Sequence, residues 1–88
     1  MAMLLLTISE VFEINGRGSV PFPGVSWDMP VSLKVGQLVE LRRPNGPMLR
    51  VEIGGIEHLT PNPHKMTPLL FNLPRSELPI GTEIWTLN

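Results

Sequence analysis

The residue whose placement most favours binding chemistry is Arg17, which lies between two glycines in the run Gly16-Arg17-Gly18. A guanidinium held in such a turn presents a fork of donors that suits carboxylate or phosphate groups. The competing interpretation is structural, because the same side chain can brace loop carbonyls and turn geometry alone explains the glycines. The sequence leaves both roles open for Arg17.

Two aromatic residues, Phe22 and Trp27, lie in a stretch rich in Pro and Gly. As a pair they would form an interface anchor, a stacking platform or the wall of a small-molecule pocket. Alternatively, one or both would cap a thin hydrophobic core. Trp85 lies in a terminal apolar segment and is predicted to belong to the core. Arg17, Phe22 and Trp27 are therefore the candidate binding residues.

The sequence carries no evident catalytic or metal-binding constellation. His58 and His64 lack the spacing of a helical ligand pair, and a zinc site needs three or four converging ligands. The serines have no neighbouring histidine in sequence, and the single aspartate, Asp28, has no companion carboxylate. We therefore expect no enzyme activity, no metal and no cofactor.

Composition indicates one small domain that contacts protein rather than nucleic acid. The 88 residues are expected to form a single domain, residues 1–88, with a thin core. Charged residues make up only 17%, which predicts a fairly apolar exterior and hence a protein partner or a homo-oligomer. The net charge of −1 argues against binding to duplex nucleic acid.

The absence of cysteine fits a cytoplasmic location, which we expect for this chain. The apolar start from Met1 to Leu6 has no basic region before it and ends at Thr7. It is too short for a signal peptide or a membrane span. We interpret it as part of the first strand and expect no membrane association.

The Asn15-Gly16 pair lies between apolar runs and predicts a β-hairpin with a two-residue type I′ turn. The strand before it is predicted from Leu4 to Ile14, with a bulge near Ser9-Glu10 or burial of both faces at one end. Its predicted inward residues share one parity and are Leu4, Leu6, Ile8, Phe12 and Ile14. The strand after it contains Pro21 and Pro23, so we expect an edge strand or an end near Val20.

The alternation in the next two predicted strands, Gln37 to Arg42 and Met48 to Ile53, fixes their register. Pointing both apolar faces at one core pairs Leu41 with Leu49 and Val39 with Val51. The same register pairs Glu40 with Arg50, an attractive cross-strand contact, across a loop centred on Asn45.

The remaining segments add further short strands. Gly54-Gly55 is expected to end or kink its strand, Ile56 to Leu59 is a candidate continuation of it, and 60–68 is predicted to be a loop. Strands are predicted for 69–73 and 82–87, with one helical turn or an irregular loop at 74–79. The fold class is therefore all-β, and about six short strands favour a small closed antiparallel β-barrel.

Several motifs resemble domain 2 of translational GTPases of the elongation factor Tu type. Residues 11–20, Val-Phe-Glu-Ile-Asn-Gly-Arg-Gly-Ser-Val, resemble the strand and Gly-Arg-Gly turn that open that barrel. Residues 34–40, Lys-Val-Gly-Gln-Leu-Val-Glu, are similar to the family's Val-Gly-x-x-Val-Glu strand, and 69–73 with 78–81 are similar to its final strands. The sequence departs from the family at Phe22-Pro23-Gly24, where Thr-Gly-Arg is usual, and has about three extra residues between Val25 and Gly36.

The resemblance implies a closed barrel, without the GTPase domain, and we interpret the chain as a non-enzymatic binding module. The chain has no Gly-x-x-x-x-Gly-Lys-Ser/Thr loop, so no nucleotide binding is implied. The favoured function is protein–protein interaction or self-association. The alternative is an RNA- or ribosome-associated protein, for which Arg17, Arg42, Arg43 and Arg50 would line one face and binding would weaken steeply with salt.

Overall fold

A computed structural model describes residues 1–87, which fold into an all-β domain of short antiparallel strands. One 3-10 turn, Arg75–Glu77, interrupts them near the C-terminal end. The strands in chain order are β1 (Leu4–Thr7), β2 (Glu10–Ile14), β3 (Gly18–Phe22), β4 (Val25–Ser26), β5 (Leu38–Arg42), β6 (Leu49–Glu52), β7 (Gly55–Ile56), β8 (Met66–Thr67), β9 (Leu69–Leu70) and β10 (Glu83–Thr86). Over residues 1–87, no helix has the length and apolar character needed to cross a bilayer.

The strands pair into one sheet of four and three sheets of two. The larger sheet has the order β1-β10-β5-β6, and the smaller ones pair β2 with β3, β4 with β8 and β7 with β9. The predicted register of β5 and β6 is confirmed: Leu41 faces Leu49, Val39 faces Val51 and Glu40 faces Arg50.

Backbone hydrogen bonds also run between the sheets. Ser19 in β3 and Phe71, directly after β9, exchange two such bonds of 2.9 Å each. The N–H of Gly54 donates to the carbonyl of Leu70 at 2.7 Å, so the chain that leaves β6 continues against β9. Ser9, between β1 and β2, donates to the carbonyl of Phe22 at 2.9 Å.

The hydrophobic core gathers apolar side chains from six of the ten strands and from the segments between them. Phe71 is the largest fully buried side chain. The buried cluster comprises Leu5, Leu6, Ile8, Val11, Val25, Val39, Leu41, Ile53, Leu69, Phe71, Leu78 and Ile84. Leu49 and Val51, predicted to point inward, pack against this cluster as half-buried residues. The core therefore extends across all four sheets and holds them as one unit.

The prediction for the first strand is partly wrong. The predicted strand is interrupted at Ile8-Ser9, near the predicted bulge. Before the interruption, the adjacent residues Leu5 and Leu6 are both buried. After the break the inward parity changes, because Val11 is buried whereas Phe12 is 53% exposed. A break of this kind shifts the two-residue period, and every following side chain then changes face.

The hairpin turn differs from the predicted type. Ile14 pairs with Gly18, so the loop has three residues, and Gly16 has a φ of +75°. Lys65 is the only non-glycine residue of 1–87 with positive φ, whereas a type I′ turn would require positive φ at Asn15 as well. The strand after the turn runs through the buried Pro21 to Phe22 and does not end near Val20. It lies in a sheet of two strands, which agrees with the alternative prediction of an edge strand.

Two other predictions are corrected by strand pairing. The predicted loop 60–68 contains β8, which pairs with β4 through Val25 opposite Thr67. Trp85 is half-buried rather than a core residue, since Ile84 and Thr86 take the inward positions of β10. Its ring lies on the outer face of the four-stranded sheet, where the guanidinium carbon of Arg42 is 4.2 Å from the ring centroid.

Candidate functional site

The outer face of the β2–β3 hairpin is almost entirely apolar. The pairs Phe12–Val20 and Glu10–Phe22 place these side chains on one face, because residues two apart in a strand share a face. The rings of Phe12 and Phe22 meet edge to face with centroids 5.1 Å apart, a favoured aromatic geometry. Phe12 nevertheless remains 53% exposed.

Residues that are distant in sequence complete this surface. Leu59 and Pro68 lie beside the hairpin and enclose a groove of about 360 Å³ together with the outward hairpin residues and Glu57. Leu59 is itself 46% exposed. We name the surface the hairpin patch and define it as Phe12, Ile14, Val20, Phe22 and Leu59.

Gly18 fixes the hairpin against β9. Its φ is +128°, and a Cβ at this position would lie far inside van der Waals contact of the carbonyl oxygen of Phe71. The close approach allows Ser19 and Phe71 to exchange their backbone hydrogen bonds. The Ser19 hydroxyl adds a third bond, to the carbonyl of Leu73 at 2.8 Å. These contacts position the inner face of the hairpin and thus orient the patch outward.

Arg17 lies at the border of the patch and contacts a carboxylate of the same chain. Its Nη2 is 3.3 Å from Oε2 of Glu57, which also lines the groove. The Arg17 side chain is 53% exposed, so the pair is a solvated ion pair of modest strength. This ion pair connects the hairpin turn to Glu57. Binding of a partner's anion by Arg17 stays a prediction.

Trp27 lies apart from the other two candidate residues. Its indole Nε1 donates to the hydroxyl of Thr67 at 3.0 Å, and its backbone N–H donates to the carbonyl of Lys65 at 3.0 Å. Trp27 lines a different pocket, with Met29 and Val31. The expected pairing of Phe22 with Trp27 in one platform or pocket is therefore wrong: Phe22 pairs with Phe12 instead.

The arginines of the RNA alternative all lie next to carboxylates. Arg42 Nε is 2.7 Å from Glu40 Oε2, and Arg50 Nε is 3.9 Å from the other oxygen of Glu40. Arg43 Nη1 is 3.1 Å from Glu77 Oε1. With the Arg17–Glu57 pair, all four have their charge partly compensated within the chain.

Sequence reasoning missed Phe12 and Leu59 as surface residues. The alternation of Leu4 to Ile8 predicts Phe12 in the interior, and Glu10-Val11-Phe12-Glu13 places one glutamate and one apolar residue on each face, so it does not mark the change of parity. Leu59 comes from a segment 47 positions further along the chain, and nothing in its local sequence indicates that contact. Comparison with protein-family models, curated proteins and solved structures finds no match to this chain.

Proposed function

We propose that this protein is a non-enzymatic protein-binding domain and that the hairpin patch contacts the partner. The observation that carries the proposal is the exposed Phe12 ring, which is held edge-on against Phe22 and beside Leu59. Aromatic side chains with a fixed orientation lose little conformational entropy on binding and are frequent energetic anchors of interfaces. Val20 is buried at the base of the groove, and the apolar surface that the exposed Phe12 and Leu59 form there with the half-buried Phe22 is typical of an interaction site.

We also propose that the strands form one closed barrel of the domain 2 type, as a scaffold for the patch. The links from Gly54 to Leu70 and from Ser19 to Phe71 support this proposal, and the chain itself joins β1 to β2 through Ile8 and Ser9. With them, the strands would follow one another around a ring in the order β1, β10, β5, β6–β7, β9, β3 and β2. The Gly-Arg-Gly turn, in the position that the resemblance gives it, would lie at the rim of this barrel.

The chemistry of the patch favours a protein partner that inserts apolar side chains. Its five defining residues are apolar, and the bordering charges of Arg17 and Glu57 offset each other. An RNA partner would need a basic face, whereas four of the five arginines have a carboxylate within 4.0 Å in residues 1–87. The lack of cysteine supports the cytoplasm as the compartment in which this binding would occur.

Selection of peptides from a displayed random library against the purified protein tests the proposal. We expect enriched peptides rich in Leu and aromatic residues, and affinity for Phe12→Ser reduced roughly tenfold or more, because truncating an interface anchor typically costs about 2 kcal/mol. The matched control is Leu38→Ser, which removes a large apolar side chain of similar exposure on the outer face of β5.

Binding in this selection should change little when salt rises from about 0.1 to about 0.5 M, because apolar contacts are not screened. Peptides that bind Phe12→Ser as well as the wild type would contradict the proposal. Binding of a short single-stranded RNA to the protein is measured in parallel. Tight RNA binding that weakens steeply as salt rises would favour the RNA alternative.

A further inference from the structure

The strand β6 leaves one of its edges without a backbone partner. On the other edge β5 is paired, and there the N–H of Ile53 donates to the carbonyl of Gln37 at 2.9 Å. Backbone groups alternate in direction along a strand, so the N–H and C=O groups of Arg50 and Glu52 point away from β5. In the part of the chain that the structure describes, no hydrogen bond to these groups is found on that side.

The free edge is short and opens onto a groove. Gly54 is the next residue whose backbone groups point away from β5, and its N–H donates to the carbonyl of Leu70. The free edge therefore ends at Gly54, where β9 becomes the backbone partner. Beside residues 51–53, a groove of about 690 Å³ separates β6 from the Gly16-Arg17 turn and Leu73. The edge is therefore accessible over residues 50–52, and an extended segment of another chain has room to approach it.

The side chains along this edge form a self-complementary pattern. Leu49-Arg50-Val51-Glu52-Ile53 reads as apolar, positive, apolar, negative, apolar, so an antiparallel copy centred on Val51 places Arg50 opposite Glu52 in both directions. We propose that a second copy of this chain pairs with β6 in this register, around a two-fold axis through Val51. The two four-stranded sheets would then form one continuous sheet of eight strands.

The backbone geometry and the charges select the same register. In the pairing of Arg50 with Glu52 of the second copy, the groups that meet are those that point away from β5, and four N–H to C=O bonds can form. A shift by two residues keeps only two of those four bonds and places Arg50 opposite Arg50, or Glu52 opposite Glu52. Like charges directly opposite each other destabilise a strand pair, whereas opposite charges stabilise it.

Charged residues on an edge strand also serve to prevent uncontrolled strand addition. A purely protective edge would carry one sign of charge or a proline, because alternating signs invite an antiparallel copy instead of repelling it. The contact is small, so we expect a weak dimer of the kind formed by interfaces of low area. This inference uses a surface distinct from the hairpin patch and does not depend on the proposed function.

Sedimentation velocity of the full chain from about 10 µM to about 1 mM measures the dimer directly. We expect a concentration-dependent shift from the 9.8 kDa monomer to twice that mass. Glu52→Arg should raise the dissociation constant roughly tenfold or more, because it places like charges opposite each other at two symmetric positions. Within one chain Glu52 faces Leu38, so this substitution breaks no ion pair of the monomer.

Two further variants separate the proposed register from other modes of association. Arg50→Glu combined with Glu52→Arg restores opposite charges across the two-fold axis and should recover part of the wild-type affinity. The recovery is incomplete because Arg50→Glu also replaces the attractive Arg50–Glu40 contact within each chain by two like charges. Phe12→Ser, on the hairpin patch, should leave the dimer unchanged. Amide hydrogen exchange at Arg50 and Glu52 should slow as the protein concentration rises.

The proposal is overturned by a wild type that stays monomeric at about 1 mM, which would make the charges a protective device. It is equally overturned by a dimer that Glu52→Arg leaves intact or that Phe12→Ser abolishes. Loss of peptide binding at the hairpin patch without any change in the dimer would count only against the proposed function.

Discussion

Replacement of Gly18 by Ala is expected to weaken the attachment of the hairpin to the rest of the fold. The added Cβ cannot be accommodated at the present distance from the carbonyl of Phe71, because both groups are backbone or fixed to it. Positive φ at an alanine costs about 1–2 kcal/mol. Loss of the two hydrogen bonds between Ser19 and Phe71 adds about 0.5–1.5 kcal/mol each, so the expected total is about 2–5 kcal/mol.

The control is Gly16→Ala in the same hairpin. Gly16 also has positive φ, at +75°, but a Cβ there meets nothing within 4 Å. Its expected cost is therefore the conformational term alone, about 1–2 kcal/mol. The difference between the two variants isolates the contact with Phe71 and should be about 1–3 kcal/mol.

Urea unfolding followed by tryptophan fluorescence measures both free energies of unfolding, since Trp27 lies in the turn after β4 and Trp85 lies in β10 of the four-stranded sheet. A domain of this length is expected to have a stability of about 4–13 kcal/mol, so Gly18→Ala should remain measurable. Amide exchange at Ser19 and Phe71 should accelerate in Gly18→Ala and not in Gly16→Ala. Equal stabilities of the two variants would refute the argument that the approach of β3 to β9 requires glycine.

Two further predictions concern the four-stranded sheet. Leu41→Ala should lower the free energy of unfolding by about 2–5 kcal/mol, because Leu41 is fully buried. Leu38 is 46% exposed, so Leu38→Ala should change the free energy of unfolding by less than about 0.5 kcal/mol. Urea unfolding of both variants checks the assigned faces of β5. A double-mutant cycle of Arg42→Ala and Trp85→Leu should give a coupling of about 0.5–1 kcal/mol from the cation–π contact, and a coupling near zero would show that their proximity contributes nothing to stability.

The register of β5 and β6 could be predicted because two requirements agree on it. The apolar alternation and the attraction of Glu40 for Arg50 select the same pairing, and the odd loop around Asn45 follows from it. A shift by one residue would have turned Val39 outward and separated the charged pair. The sequence suffices to predict a strand register where the contacts are local and a wrong register would lose several of them at once.

The candidate site was harder to predict because its contacts join distant parts of the chain. The partner of Arg17 is Glu57, 40 residues away, and no local pattern marks either residue for the other. Phe22 was recognised as a candidate but was paired with Trp27, its neighbour in sequence, instead of Phe12, its neighbour across the hairpin. The error follows from the break at Ser9, which reverses the inward parity and brings Phe12 to the surface.

The distribution of charge indicates how both proposed surfaces would bind. Four arginines have carboxylates beside them, and the net charge is −1, so the chain has little long-range field with which to steer a partner. Association should therefore proceed without electrostatic enhancement, at roughly 10⁵–10⁶ M⁻¹s⁻¹. The hairpin patch would gain its affinity from apolar contact and should be insensitive to salt. The dimer at the β6 edge would depend on two solvent-exposed pairs of Arg50 and Glu52, so it should weaken as salt screens these charges. This difference in salt dependence distinguishes the two surfaces within a single sample.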